Sequence, residues 1–155
     1  MPCLAVIAAL TLAPVKLVPY VNGRWDFLIS RPSNWVASEP PTNGSGQEWK
    51  SPDGKASLSC WGSFNAVPWT FKEVCDQQME RVKEVKGKVT YRKIGKTFAV
   101  VSYSYSGREV YERVDFTTGV VSGWSFSAPI SQHIEMSKLT ERIAKTWKPA
   151  TKERD

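Results

Sequence analysis

Apolar residues recur along this chain with two periods, and the switches between them mark its elements. In WKSPDGKASLSCWGSFNAVPWTFKEVCDQQMERVKEVK, residues 49–86, Asp53-Gly54 separates two short extended runs. That dipeptide tolerates the positive φ angles of a tight hairpin, so two antiparallel strands are predicted to meet there. Thr70 and Glu73 then have the spacing of a capping box. Phe71, Val74, Cys75, Met79, Val82 and Val85 follow at steps of three and four until Gly87. This spacing predicts an amphipathic helix of about four turns. Leu58 and Cys60 share a strand face, and the helix must bury its apolar stripe nearby, so Cys60 and Cys75 are expected to face each other.

Upstream, Arg24 to Arg31 alternates Trp25, Phe27 and Ile29 against Asp26, Leu28 and Ser30, and Pro32 ends this first predicted strand. Residues 39–47, EPPTNGSGQ, have the composition of a loop. Downstream, Lys88–Ile94, Thr97–Ser104, Arg108–Thr117 and Val120–Ala128 read as strands joined at Gly95-Lys96, Ser106-Gly107 and Thr118-Gly119. Short glycine turns between alternating runs predict an antiparallel meander. Val110, Val114 and Phe116 give the third of these strands an apolar face that needs a helix over it. Met136, Leu139, Ile143 and Trp147 supply a second helix, stopped before Pro149. The expected fold is α+β: an antiparallel sheet of about six to seven strands covered by helices, in one domain over residues 23–148. Residues 149–155 are expected to be a disordered tail.

At 155 residues and 41% apolar content, one domain with a sizeable core is the natural expectation. The net charge of +6 is spread along the chain, densest from Lys138 to Arg154, with no arginine-rich tract. Such an excess suits solubility, and no specific nucleic-acid binding is expected from it. Residues 1–22 read as a signal peptide or N-terminal extension. Their apolar run, Cys3 to Ala13, is far shorter than the ~20 residues that cross a bilayer. The mature protein is therefore expected to be periplasmic or secreted, processed between Ala13 and Gly23, with no transmembrane helix. An oxidising compartment and inward positions on consecutive elements predict a Cys60 to Cys75 disulfide, stabilising by roughly 3 kcal/mol.

Reactive constellations are sparse. His133 is the only histidine, in SQHIEM, with no G-x-S-x-G elbow anywhere. It would have to carry any proton-transfer step of an envelope-acting hydrolase, the enzyme alternative. No C-x-x-C and no phosphate-cradling glycine loop occurs, so neither a metal nor another cofactor is expected. Lys138, Arg142 and Lys145 share a helical face and define a further alternative, electrostatic binding of an anionic polymer. Seven tryptophans remain. Trp25, Trp124 and Trp147 fit buried faces, whereas Trp35, Trp61 and Trp69 neighbour loops and are the expected partner contacts.

FLISRPSNW (27–35), SPDGKASLSCWGSFNA (51–66) and a closing helix ending in Trp147 resemble the PsbP-like fold, and small exported bacterial proteins that share it. The resemblance implies an α/β/α sandwich. Members of the wider fold act as protein-binding accessories rather than enzymes, so it also implies a binding role, with another envelope protein as the expected partner. No catalytic residue carries over.

Overall fold

The computed structural model describes residues 13–151, so the predicted signal run, apart from Ala13, and the last four residues of the tail lie outside the described residues. The first strand, β1 (Leu17–Val21), pairs antiparallel with β2 (Leu28–Pro32) as a separate two-stranded sheet. Next come β3 (Val36–Ala37), β4 (Gly46–Lys50), β5 (Ser57–Phe64) and helix α1 (Phe71–Glu84). The meander follows as β6 (Lys88–Ile94), β7 (Phe98–Tyr105), β8 (Arg108–Phe116) and β9 (Val120–Pro129). A 3₁₀ turn over Ile130–Gln132 leads into α2 (His133–Ala144).

Local chemistry accounts for the boundaries. At the β4–β5 hairpin Gly54 has φ +70°, and the Asp53 carboxylate accepts from Ser51 Oγ at 2.5 Å and from the Lys55 N–H at 2.9 Å. Ser106 and Gly107, both at positive φ, close the β7–β8 hairpin as a two-residue turn whose twist matches the strands. Thr70 caps α1: its Oγ1 accepts from the Glu73 N–H, and the Glu73 carboxylate accepts from the Thr70 N–H at 2.7 Å. The helix closes with Gly87 N–H on Val82 O and Lys86 N–H on Lys83 O, both 2.8 Å, a Schellman closure with Lys86 at φ +54° where glycine is usual.

The main sheet is antiparallel throughout, in the order β3-β4-β5-β9-β8-β7-β6. β5 therefore pairs with β9, and α1 with the first three strands of the meander lies between them in sequence. Register assigns the faces. Val110 and Val114 of β8 pair across β7 with Tyr103 and Ala99, and α1 covers this side through Val74, Cys75 and Val82. The opposite face carries Leu58 and Cys60 of β5 and Trp124 and Phe126 of β9, under α2, β1 and β2.

This second side holds most of the core. Trp25, Phe27, Ile29, Leu58, Trp124 and Ile143 are 0–2% exposed, each burial stabilising by about 1.5–3 kcal/mol. Asp115 of β8 accepts both Arg113 guanidinium bonds at 2.8 Å and the Trp147 indole N–H at 2.7 Å, tying the chain beyond α2 to the sheet. Leu28 and Lys148 exchange two backbone bonds of 2.9 Å, and the Ala150 N–H donates to Ser122 Oγ. Residues 149–150, expected in the tail, thus belong to the packed structure. So do residues 17–22, expected ahead of the domain: Val18 and Tyr20 pair with Arg31 and Ile29, and Asn22 is buried.

The predicted disulfide is corrected. Cys60 and Cys75 are both free and buried, on opposite sides of the main sheet. Cys60 pairs across strands with Trp124 on the α2 side, whereas Cys75 lies on α1 among Val74, Ala99 and Val114. Period two puts Leu58 and Cys60 on one face but does not say which helix covers it. Burial pushes the Cys60 thiol up to about 12, against a weak bond to Gln47 O at 3.6 Å.

Candidate functional site

Where β5 runs out, the chain crosses from Phe64 to the cap of α1 through a short loop that one side chain organises. The Asn65 amide donates to Trp69 O at 2.9 Å, its Oδ1 accepts from the Trp69 N–H at 3.1 Å, and its own N–H donates to Gly119 O at 3.0 Å. This clamp folds Val67 and Trp69 over the end of α1. Beneath them lies a cavity of about 280 Å³, lined by Trp61, Val74, Val114 and Val121, with Gln77 and Arg81 at its polar margin. Val67 and Trp69 stand 61% and 39% exposed at its mouth, a concentration of apolar surface that water alone does not favour, whereas the Phe64 ring packs edge-on against Trp25 on the α2 side, centroids 4.9 Å apart.

Trp61 forms a fixed wall of this cavity. It pairs with Gly123 of β9, and its ring lies across that glycine: a Cβ placed on Gly123 would stand 2.5 Å from Trp61 Cζ2. Arg81 is held by Glu112 at 2.6 Å. The structure therefore brings Trp61 and Trp69 together, as expected of loop-proximal aromatics. Trp35 is a correction: 6% exposed on the opposite side of the sheet, it packs against Phe126 with centroids 5.6 Å apart. Trp35 N–H donates to Pro32 O, so the P-S-N-W turn folds the ring inward rather than presenting it. The Asn65 clamp had no signal in the sequence beyond an asparagine in a loop.

His133 opens α2. Its Nδ1 lies 2.6 Å from Glu109 Oε2 and 3.3 Å from Ser137 Oγ. A serine nucleophile activated by histidine needs the acid on one ring nitrogen and the hydroxyl on the other. Here both fall on Nδ1, so the cluster lacks that geometry. The cluster lines a second cavity of about 440 Å³ between α2 and the outer strands, with Tyr91, Tyr111, Phe126 and Met136 among its other walls. The basic face of α2 is largely committed: Arg142 donates to Val15 O at 2.7 Å, and Lys145 pairs with Glu141 at 3.0 Å. Among the described residues, no three His, Cys, Asp or Glu side chains gather as metal ligands, and no helix is long and apolar enough to cross a membrane.

Layer order, strand order and the placement of the two helices define a PsbP-like fold. The solution structure of cyanobacterial PsbP from Synechocystis sp. PCC 6803 superposes with a TM-score of 0.66 at 12% identity, covering 94% of this chain and 98% of that one. A crystal structure of a protein from Bacteroides thetaiotaomicron VPI-5482 gives 0.51 at 16% identity. It covers 90% of this chain, which spans half the length of that one. No family model matches the chain, and no curated protein matches it by sequence.

Proposed function

We propose that this chain is a non-catalytic, protein-binding accessory module of the bacterial envelope, and that the α1-side cavity receives an apolar side chain of its partner. The observation that carries the reading is the pair Val67 and Trp69, exposed at the mouth of a cavity whose walls are Trp61, Val74 and Val121. A rigid aromatic wall beside a desolvated pocket is the arrangement in which interface energy concentrates. Two features support it as a binding rather than a chemical site: Arg81 is engaged by Glu112, and the His133 cluster lies on the other side of the sheet.

Export rests on the Cys3 to Ala13 run. Because β1 begins at Leu17 and Arg142 holds Val15 O, processing that preserves the fold falls ahead of Val15. Intact-mass measurement on protein from the native envelope fraction tests this part. Full-length protein confined to the cytoplasm would refute it.

The docking reading is tested by affinity capture from envelope extract with the wild type, Trp69→Ala, Val67→Asp and His133→Ala. Val67 and Trp69 are exposed enough to be changed without unfolding the chain, which circular dichroism checks. A specific partner lost with Trp69→Ala and Val67→Asp but kept with His133→Ala is expected. A phenotype abolished by His133→Ala alone, with no partner captured, would replace this reading with the hydrolase.

A further inference from the structure

The main sheet ends in two unlike edges. At one, β3 is two residues long; at the other, β6 runs for seven, each of them exposed. Among the described residues β6 bonds only to β7, so its outer backbone edge is open to another strand. From Lys86 to Lys96 the chain carries Lys86, Lys88, Arg92, Lys93 and Lys96, and no acidic residue occurs between Glu84 and Glu109. None of these five cations enters an ion pair among the described residues.

Lysines and a bulge, such as the register shift between Val89 and Tyr91, are how sheet edges avoid indiscriminate pairing. They act by charge, and charge selects as well as excludes. Two copies of β6 laid antiparallel would gather Lys88, Arg92 and Lys93 from each chain with no carboxylate among them, which disfavours self-pairing. An anionic strand meets the opposite balance. The edge also offers apolar surface: Val89, Tyr91 and Ile94 are 40%, 51% and 52% exposed. Thr90 and Tyr91 form the near wall of the cavity beneath α2, so a strand added here would lay side chains of one face at its mouth.

We propose that β6 is a strand-addition site for an extended acidic segment of a partner protein, in which Asp or Glu alternates with β-branched residues. This site is separate from the cavity at Trp61 and Trp69, so a change made at that cavity should leave binding at β6 intact.

The experiment titrates ¹⁵N-labelled full-length chain, at physiological ionic strength, with a synthetic peptide of roughly eight residues alternating acidic and β-branched side chains. Amide shifts concentrated in Lys88–Ile94 are expected. Affinity should fall at least ~10-fold when alternate peptide amides are N-methylated, because backbone bonds and not side chains are then removed. The Lys88→Glu/Lys93→Glu variant should lose binding to a similar degree with its fold intact, and Val67→Asp should keep it. Shifts centred elsewhere, equal binding by the N-methylated peptide, or a single-stranded oligonucleotide outcompeting the peptide at β6 would each overturn the proposal. So would concentration-dependent self-association through β6 without peptide.

Discussion

Gly123→Ala adds one methyl group at the middle of the sheet, and the structure says what it meets. The new Cβ would stand 2.5 Å from Trp61 Cζ2 and 2.6 Å from the carbonyl oxygen of Arg113. The first contact is with a side chain that is only partly buried and can swing. The second is with the backbone of β8, which can yield only if β8 and β9 part where Val114 faces Gly123. Overpacking of this kind costs about 1–3 kcal/mol, and replacing a strand glycine returns about 0.5–1 kcal/mol. The net expectation is a destabilisation of about 1 kcal/mol, or a fall in Tm of roughly 2–4 °C for a chain of this length. Gly119→Ala is the internal control: nothing lies within 4 Å of its Cβ position, so it should be neutral or slightly stabilising. Urea unfolding followed by tryptophan fluorescence measures both. Adding Trp61→Ala to Gly123→Ala separates the two clashes, since only the ring contact is then relieved. Equal midpoints for Gly123→Ala and Gly119→Ala would refute the reasoning.

Three further outcomes are expected. In a Cys3→Ser background, labelling under denaturing, non-reducing conditions should find both remaining thiols free, Cys60 and Cys75, and reductant should leave Tm unchanged. Lys86→Gly should stabilise by about 0.5–1 kcal/mol, because glycine adopts the left-handed conformation at φ +54° without a Cβ penalty; chemical denaturation decides it, and a loss of stability would show that the lysine side chain contributes there. Bonds from Ser51, Lys55 and Gln132 hold the Asp53 carboxyl down to about 2, so its stabilisation is complete above the usual carboxylate range and is lost as pH falls from about 4 through 2. Asp53→Asn should therefore lower Tm at neutral pH and converge with wild type near pH 2, whereas a constant difference would exclude a role for the charge.

Much of this architecture is legible in the residues because its signals are local. Ser106-Gly107 dictates a two-residue turn, Thr70 and Glu73 cap α1, and the meander strands begin and end within a residue or two of their alternation. What escapes is relational. Alternation gives Cys60 a face but no partner, and β5 finds β9 only once residues 65–119 have made their excursion. Val18 and Tyr20 follow an apolar run that reads as an export signal, which conceals β1. α2 begins at His133 rather than Met136 because a 3₁₀ turn leads into it and Gln132 makes no side-chain cap, so no start signal is written there. At the candidate site, Trp61 and Trp69 are legible as loop-proximal aromatics. The glycine beneath one and the asparagine clamping the other come from distant or unremarkable positions.

The stitching of the two chain ends has a directional consequence. Arg142 holds Val15, Lys148 bonds Leu28, and Ala150 is pinned by Ser122 on the same side of the sheet. Val15 and Ala150 therefore both lie in the layer of α2 and β1–β2, while Val67 and Trp69 line the cavity on the α1 side. A tether attached at either end, whether a lipid, a neighbouring domain or a surface used for measurement, would hold the molecule by its back and leave the Trp69 cavity turned toward the surroundings.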